Sequence, residues 1–458
     1  MWLTRLMWNF YLAYHLRGQA TYPFEPLARI EEAQARRVQA MVAYAYRYVP
    51  YYQETMDKLG LQPSDFEDAD DLGKLPLLER HQLQRDPEYF VSKAEPLERC
   101  LRLTSGGSTG GPTTVYYDTR AVFQNAAHGE RARSVVTSLI GRGLGYRETV
   151  IVMQRSSTHV VQQFCQDRGF FPRGMRIQRQ HLSVLDPPQE NVVLINKYRP
   201  DIIRSFGSYL GILFPYVHTT GIPFHRPMVV TSHADALSPS VRHLIENEFN
   251  IPVFSKYGAV EAFNIGFECE HHRGHHLNID LHPVRIVDEE GREVPKGESG
   301  EVVVSNLVNR ATVLFNYRLS DVSAISPDRC PCGRSLPLLS FLYGRTDDLL
   351  ELPSGEIAHP LTLKMIFCFD EPDLWEFQVI QETRTHFRVP IVASETCDRE
   401  EMRKRIAAKM SQALGGDVRA DICFVDSLDR TGAGKLRTVI SKCTRTHEEP
   451  ELMMRGHS

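Results

Sequence analysis

Apolar positions recur at helical spacing from the first residues: Trp2, Leu3, Leu6, Met7, Phe10, Ala13 and Leu16, with Arg5, Asn9 and Arg17 elsewhere. Such spacing lays one apolar stripe along a 3.6-residue helix, so an amphipathic helix is predicted here. It is too short and too interrupted by charge for a transmembrane span. No small-residue cleavage site follows, so no signal peptide is expected. The helix is expected to pack on its own domain, with weak peripheral membrane contact as the alternative its tryptophans leave open.

From about residue 145 to 260 the pattern changes to short apolar runs separated by helical segments. Thr149–Met153, Asp201–Phe206, Met228–Thr231 and Pro252–Ser255 read as buried strands; Tyr209–His218 and Pro239–Phe249 read as helices. This alternation predicts an α/β, doubly wound, largely parallel sheet. Ligands bind beyond the carboxyl ends of such strands. The turns Phe206–Tyr209 and His233–Asp235, with the stretch Ala259–Phe263, are therefore expected to line one crevice.

After Glu268 the period shortens to two. Leu277, Ile279 and Leu281 alternate, then Val284 and Ile286, and Gly300–Leu307 is a solid apolar run, which predicts antiparallel strands in a smaller β region. Gly344-Arg345-Thr346-Asp347-Asp348 reads as a polar turn. Beyond it, strands are predicted at Glu376–Gln381, Phe387–Ala393 and Ala420–Val425, around a charged helix at Arg399–Leu414. The expected organisation is a large N-terminal domain over 1–344 and a small, mobile α+β domain over 345–458.

Composition narrows the function. A chain of 458 residues, 42% hydrophobic and 24% charged, has the composition of a folded multidomain protein. A net charge of -4 gives no basic surface for nucleic acid. Nine cysteines without a secretory signal point to a reducing, cytoplasmic setting, where clustered cysteines more often hold metal than form disulfides.

The candidate chemistry begins at Ser105-Gly106-Gly107-Ser108-Thr109-Gly110-Gly111-Pro112-Thr113. Glycines let several N–H groups converge on one point and hydroxyls add donors, a combination suited to phosphate oxygens. No Lys follows the last glycines, so this is not a Walker loop, and the spacing is wrong for a dinucleotide fingerprint.

Four further motifs follow in order: Tyr257-Gly258-Ala259-Val260-Glu261, Tyr317-Arg318-Leu319-Ser320-Asp321, the Gly344–Asp348 turn, and Arg430-Thr431-Gly432-Ala433-Gly434-Lys435-Leu436-Arg437. With Val49-Pro50-Tyr51-Tyr52 and Leu75-Pro76-Leu77-Leu78, this order resembles the adenylate-forming acyl/aryl-CoA synthetase superfamily. Within it, the chain is similar to the phenylacetate–CoA ligase-like and CapK-like branch. The resemblance implies an AMP-forming ligase that activates a carboxylic acid, taken as aromatic, with ATP and passes the acyl group to coenzyme A. It also leaves two alternatives: a CapK-like enzyme with a non-CoA acceptor, and a degenerate nucleotide-binding member without turnover. It admits a homodimer.

By the same resemblance, Ser105, Gly107, Ser108, Thr109 and Gly110 would hold the phosphates, with Thr109 counted among the catalytic residues. Tyr257 and Gly258 would flank adenine, and Glu261 would help hold Mg2+, a hard cation suited to carboxylate oxygen. Asp321 would accept from the ribose hydroxyls, Arg345 would assist at ribose or phosphate, Asp347 would be the hinge, and Lys435 would bridge the α-phosphate and the acyl oxygen. The chain departs from the family pattern at Gly111 (a common Lys), Asn316 and Ser320 (Arg and Gly of the ribose motif) and Val260 (Thr or Ser).

Cys330-Pro331-Cys332-Gly333 is a tight Cys-x-Cys turn, and Glu268–His276 supplies Cys269 and several imidazoles. Two ligands from each of two turns suit a tetrahedral structural zinc site. Similar patterns in phenylacetate-ligase-like proteins point to Cys269, His276, Cys330 and Cys332, with His271 the alternative to His276. The remaining cysteines have no such spacing and read as ordinary thiols.

Overall fold

The computed structural model describes residues 2–105, 113–153, 156–169, 177–341, 344–345, 350–353, 357–358, 371, 373–394, 397–414, 417–430 and 436–443. The chain divides into two compact units: Met1–Asp347 with Asp429–Leu436, and Asp348–Leu428 with Arg437–Ser458.

The larger unit opens with α1 (Trp2–Leu16), α2 (Leu27–Tyr48), α3 (Pro50–Leu59) and the short α4 (Arg80–Arg85). Helix α2 buries Ile30, Val38, Met41, Val42 and Ala45, one stripe at helical spacing. Pro50 lacks an N–H and cannot extend α2, so it opens α3 instead. The predicted helix α1 is present, but it packs through a different face from the expected stripe. Trp8 stacks on Phe123 at 5.1 Å, and Gln124 Nε2 donates to the Tyr11 hydroxyl at 2.9 Å. Leu3, Met7, Phe10 and Tyr14 stay exposed. Aromatic rings with polar edges satisfy both the apolar contact and the glutamine, which an aliphatic stripe could not.

A hairpin, β1 (Leu101–Thr104) and β2 (Thr114–Tyr117), precedes α5 (Thr119–His128) and α6 (Glu130–Ile140). The winding then runs through β3 (Arg147–Ile151), α7 (Ser157–Arg168), β4 (Gln178–Leu182), α8 (Pro188–Tyr198), β5 (Ile202–Phe206), α9 (Gly207–Thr220), β6 (Val229–His233), α10 (Pro239–His243) and β7 (Val253–Tyr257). Strands β4, β3, β5, β6 and β7 lie side by side in parallel. Consecutive residues such as Ile202 and Ile203, or Val229 and Val230, are all buried, because helices cover both faces. The helix predicted over Pro239–Phe249 continues past α10 as a π-helical turn, Leu244–Glu248.

Antiparallel β8 (Gly266–Glu268) and β9 (His275–Leu277) extend this sheet, and β10 (Val284–Val287), β11 (Gly300–Val304) and β12 (Tyr317–Ser323) belong to a second, four-stranded one. The first sheet closes with β13 (Leu338–Leu339) and the second with β14 (Gly344–Arg345). The alternation at Ile279 and Leu281 is not a strand. The chain turns there, with Leu281 N–H donating to Asn278 O at 2.9 Å, so that Asp280 meets Arg131 in a buried two-pronged pair at 2.6 and 2.9 Å. Gly344–Arg345, expected as turn, is the edge strand of the second sheet.

In the smaller unit, β15 (Leu350–Glu351) pairs with β16 (Ile357–Ala358). Strands β17 (Leu374–Phe377), β18 (Val379–Gln381), β19 (His386–Ala393), β20 (Arg419–Phe424) and β21 (Val439–Ser441) form one mixed sheet. Helix α11 (Arg399–Leu414) turns Met402, Ile406, Met410 and Leu414 inward at four-residue steps. Among the described residues, no helix is long and apolar enough to cross a membrane.

Candidate functional site

The parallel strands end at Phe206, His233 and Lys256–Tyr257, opposite one another in register. At the end of β7 the chain turns sharply. A Cβ on Gly258 would lie 2.0 Å from the Phe263 carbonyl oxygen, so only glycine fits this turn. Ala259 N–H donates to Ala262 O at 2.9 Å and Ala262 N–H donates back at 3.2 Å, folding Glu261 inward to 8% exposure. Tyr117 supports the turn: its ring stacks on Phe263 at 4.2 Å and its hydroxyl donates to Val260 O at 2.8 Å. Asn306 Nδ2 donates to Glu261 O at 2.8 Å.

Strand β12 docks on this turn through two crossed tyrosines. Tyr257 donates to Asp321 Oδ2 at 2.9 Å, and Tyr317 donates to Glu261 Oε1 at 3.4 Å. Burial and the Glu261 charge raise the Tyr317 pKa, which keeps this hydroxyl a donor. Tyr257, Gly258, Glu261 and Asp321, expected from separate motifs, are thus gathered at one sheet edge. Tyr317 and Tyr117, which join them, were not singled out; the motif Tyr317–Asp321 contained the signal for the first.

The departures from the family motif have local explanations. Asn316 lies at φ 52°, fully buried, and donates to Leu72 O at 2.6 Å and Leu75 O at 3.0 Å, tying the N-terminal segment to β12. Asparagine tolerates this left-handed backbone better than most residues do. Ser320 lies at φ 60°, where glycine would be unstrained. Its N–H donates to Glu301 Oε1 at 3.1 Å, and Glu301 also pairs with Arg318.

Ser105 sits at the mouth of the β1–β2 hairpin: its N–H donates to Thr113 O at 2.8 Å, and its Oγ accepts from Thr113 N–H at 3.1 Å. Residues 106–112, with Gly107, Ser108, Thr109, Gly110 and Gly111, lie outside the described residues, as do Asp347 and Lys435. Arg345 is described through its backbone, which pairs with Asp321.

The four metal candidates come together. Cys269, His276, Cys330 and Cys332 place their ligand atoms within 4.8 Å of one another. Cys269 Sγ is 3.6 Å from Cys330 Sγ, and Cys332 Sγ is 3.3 Å from His276 Nε2. Zinc–sulfur bonds of about 2.3 Å in a tetrahedron give edges of about 3.8 Å, close to this arrangement. His276 Nδ1 is 3.3 Å from Leu336 O, which holds a proton on Nδ1 and leaves Nε2 to bind. Burial keeps this imidazole neutral, with a pKa of about 4, and pushes the Cys269 thiol up to about 12, so a cation is what would make the thiolates stable. Strands β9 and β13 pair His276 with Leu338 and fix the imidazole opposite the Cys-x-Cys turn.

Solved structures share this architecture. A crystal structure of 2-hydroxyisobutyryl-CoA ligase in the postadenylation state superposes with a TM-score of 0.73, covering 91% of this chain and 90% of that one at 18% identity. The chain has the fold of the adenylate-forming CoA ligases. Residues 350–442 match the CapK C-terminal domain family. A phenylacetate–coenzyme A ligase of Thermus thermophilus is 24% identical over 416 residues, 88% of this chain and 86% of the relative. Protein CapK of Staphylococcus aureus is 21% identical over 420 residues, 90% and 89% of the two chains. Sequence and fold therefore place this chain beside both kinds of relative.

Proposed function

We propose that the chain is an AMP-forming ligase acting on a carboxylic acid. The observation that carries this reading is the crossed pair Tyr257–Asp321 and Tyr317–Glu261 at the carboxyl edge of a parallel sheet, beside relatives that are adenylate-forming ligases. One carboxylate oxygen of the acid attacks the α-phosphorus of ATP, the bond to the β-phosphate breaks, and pyrophosphate leaves. A thiol sulfur then attacks the acyl carbon and loses its proton, the acyl C–O bond breaks, and AMP leaves carrying the bridging oxygen that the carboxylate supplied.

The assigned roles follow from chemistry and resemblance. Asp321 accepts from ribose hydroxyls while Tyr257 steadies its other oxygen. Glu261, held by Tyr317, is a buried carboxylate suited to Mg2+, whose charge offsets the triphosphate when bound. Ser105 and Thr109, with Gly107, Ser108 and Gly110, hold the phosphates. Arg345 and Lys435 bring positive charge to the ribose–phosphate and α-phosphate positions. The chain divides between Asp347 and Asp348, which supports Asp347 as a hinge between the two half-reactions. The Cys269, His276, Cys330 and Cys332 tetrad holds zinc in a structural role, since it braces the end of β8, β9 and the Cys-x-Cys turn.

CoA is the acceptor on this reading. The match of residues 350–442 to the CapK C-terminal domain favours a second reading with a different nucleophile. Pyrophosphate release from a panel of carboxylic acids tests the first half-reaction. Consumption of the resulting adenylate by CoA, and by sugar or amine nucleophiles, separates the two acceptors. A protein that binds ATP but releases no pyrophosphate with any acid would refute both.

A further inference from the structure

One face of the parallel sheet is cationic beside the crevice. In parallel pairing, residues opposite one another point to the same face. Glu148 faces Arg179 across β3 and β4; two residues along, Val150 faces Arg204, Arg204 faces Thr231, and Thr231 faces Phe254. At the carboxyl edge, Phe206, His233 and Lys256 form the next rung of that face. Glu148 is fully buried, accepts from Arg179 at 2.6 Å and forms an ion pair with Arg204. His181 stands over His159 at 5.2 Å between their ring centroids.

Among the described residues, the charges on this face do not balance. Glu148 is a single anion already shared by two guanidiniums, and Lys256 closes no ion pair with it. Arg179 and Arg204 keep a quarter of their side-chain surface open, and Lys256 is also partly open, so all three can meet a ligand. Burial first, and the Arg204 charge second, lower the Lys256 pKa to about 7; an anion beside it would favour the charged form. Cations held close together in a sheet face are destabilising unless paired, which argues for an anion from outside the chain. Lys256 immediately precedes Tyr257, about one strand step of 3.3 Å away, so the cationic rung and Tyr257 share the carboxyl end of β7, on opposite faces of the sheet.

We propose that this face receives the far end of the acid, and that the acid carries a second anionic group engaged by Lys256 and Arg204. The inference rests on the adenylating reading above and narrows its substrate to acids with a distal carboxylate, sulfonate or phosphate. A bare phenyl ring would offer these cations no counter-charge.

Matched pairs test it: phenylacetate against 4-carboxyphenylacetate, and hexanoate against adipate, in the pyrophosphate-release assay with wild type, Lys256→Met and Lys256→Arg. The dianionic member of the reacting pair should have about tenfold or more higher kcat/KM, the worth of a charge-assisted hydrogen bond. Lys256→Met should remove that preference, lowering kcat/KM for the dianionic acid about tenfold more than for the monoanionic one, whereas Lys256→Arg should keep it. A wild-type preference for the monoanionic acid, or an equal loss for both acids in Lys256→Met, overturns the anionic pocket and leaves adenylation standing. If no acid releases pyrophosphate, adenylation fails and binding decides the pocket. The dianionic acids must then raise the Tm of wild type and not of Lys256→Met; a failure there overturns the pocket too.

Discussion

Replacing Gly258 by alanine tests the turn at the end of β7. The new methyl would lie 2.0 Å from the Phe263 carbonyl oxygen, and real Cβ contacts essentially never fall below 3.0 Å, so the carbonyl must retreat by about 1 Å. It has little room: Phe263 is stacked on Tyr117, and the adjoining Ala259–Ala262 turn is closed by two hydrogen bonds. Overpacking of this kind costs about 1–3 kcal/mol. The same displacement moves Glu261, and a misplacement of about 1 Å costs about 10²-fold in rate. Gly143→Ala is the control, because nothing lies within 4 Å of its Cβ position. Urea midpoints and pyrophosphate release, measured on both variants, give stability and rate separately. If Gly258→Ala matches Gly143→Ala in midpoint and rate, the steric account of the turn is wrong.

Elemental analysis should find about one zinc per chain, and Cys330→Ser with Cys332→Ser should lose it and unfold at lower denaturant; protein purified without chelators and free of zinc would contradict this. Ser320→Gly should raise the urea midpoint, by about 0.5–1 kcal/mol in stability, because glycine relieves the left-handed strain while the Glu301 hydrogen bond from its N–H persists; an unchanged or lower midpoint counts against strain at this position. Lys435→Ala should fold normally, lose about 10²–10³ in pyrophosphate release and still consume supplied acyl-adenylate; equal loss of both steps would remove Lys435 from its role. Asp347→Pro, which fixes φ near about -65°, should slow one half-reaction more than the other; equal loss in both speaks against a hinge.

Much was written in the sequence because it depends on local pattern. The buried strands of the parallel sheet, the α11 stripe and the Cys-x-Cys turn follow from short-range spacing, and the strand boundaries differ by only a few residues. The chemistry of glutamate, aspartate and clustered thiols is likewise a property of residue type, so Glu261, Asp321 and the cysteines could be picked out before any fold was known. What pairing across distance decides could not be read so. Ile279 and Leu281 alternate as a strand would, yet the need to satisfy buried Arg131 with Asp280 turns the chain there. The stripe of α1 that looked destined for the core stays outside, because Phe123 and Gln124, more than a hundred residues on, select the tyrosine and tryptophan face. Gly344–Arg345 became a strand only because β12 offered it an edge. The crossed tyrosines and the cationic face around Lys256 arise in the same way, from register between strands. A hydrogen bond or an ion pair is short-ranged and directional, so which polar groups meet is settled by tertiary pairing, while the hydrophobic period that builds each element is settled residue by residue.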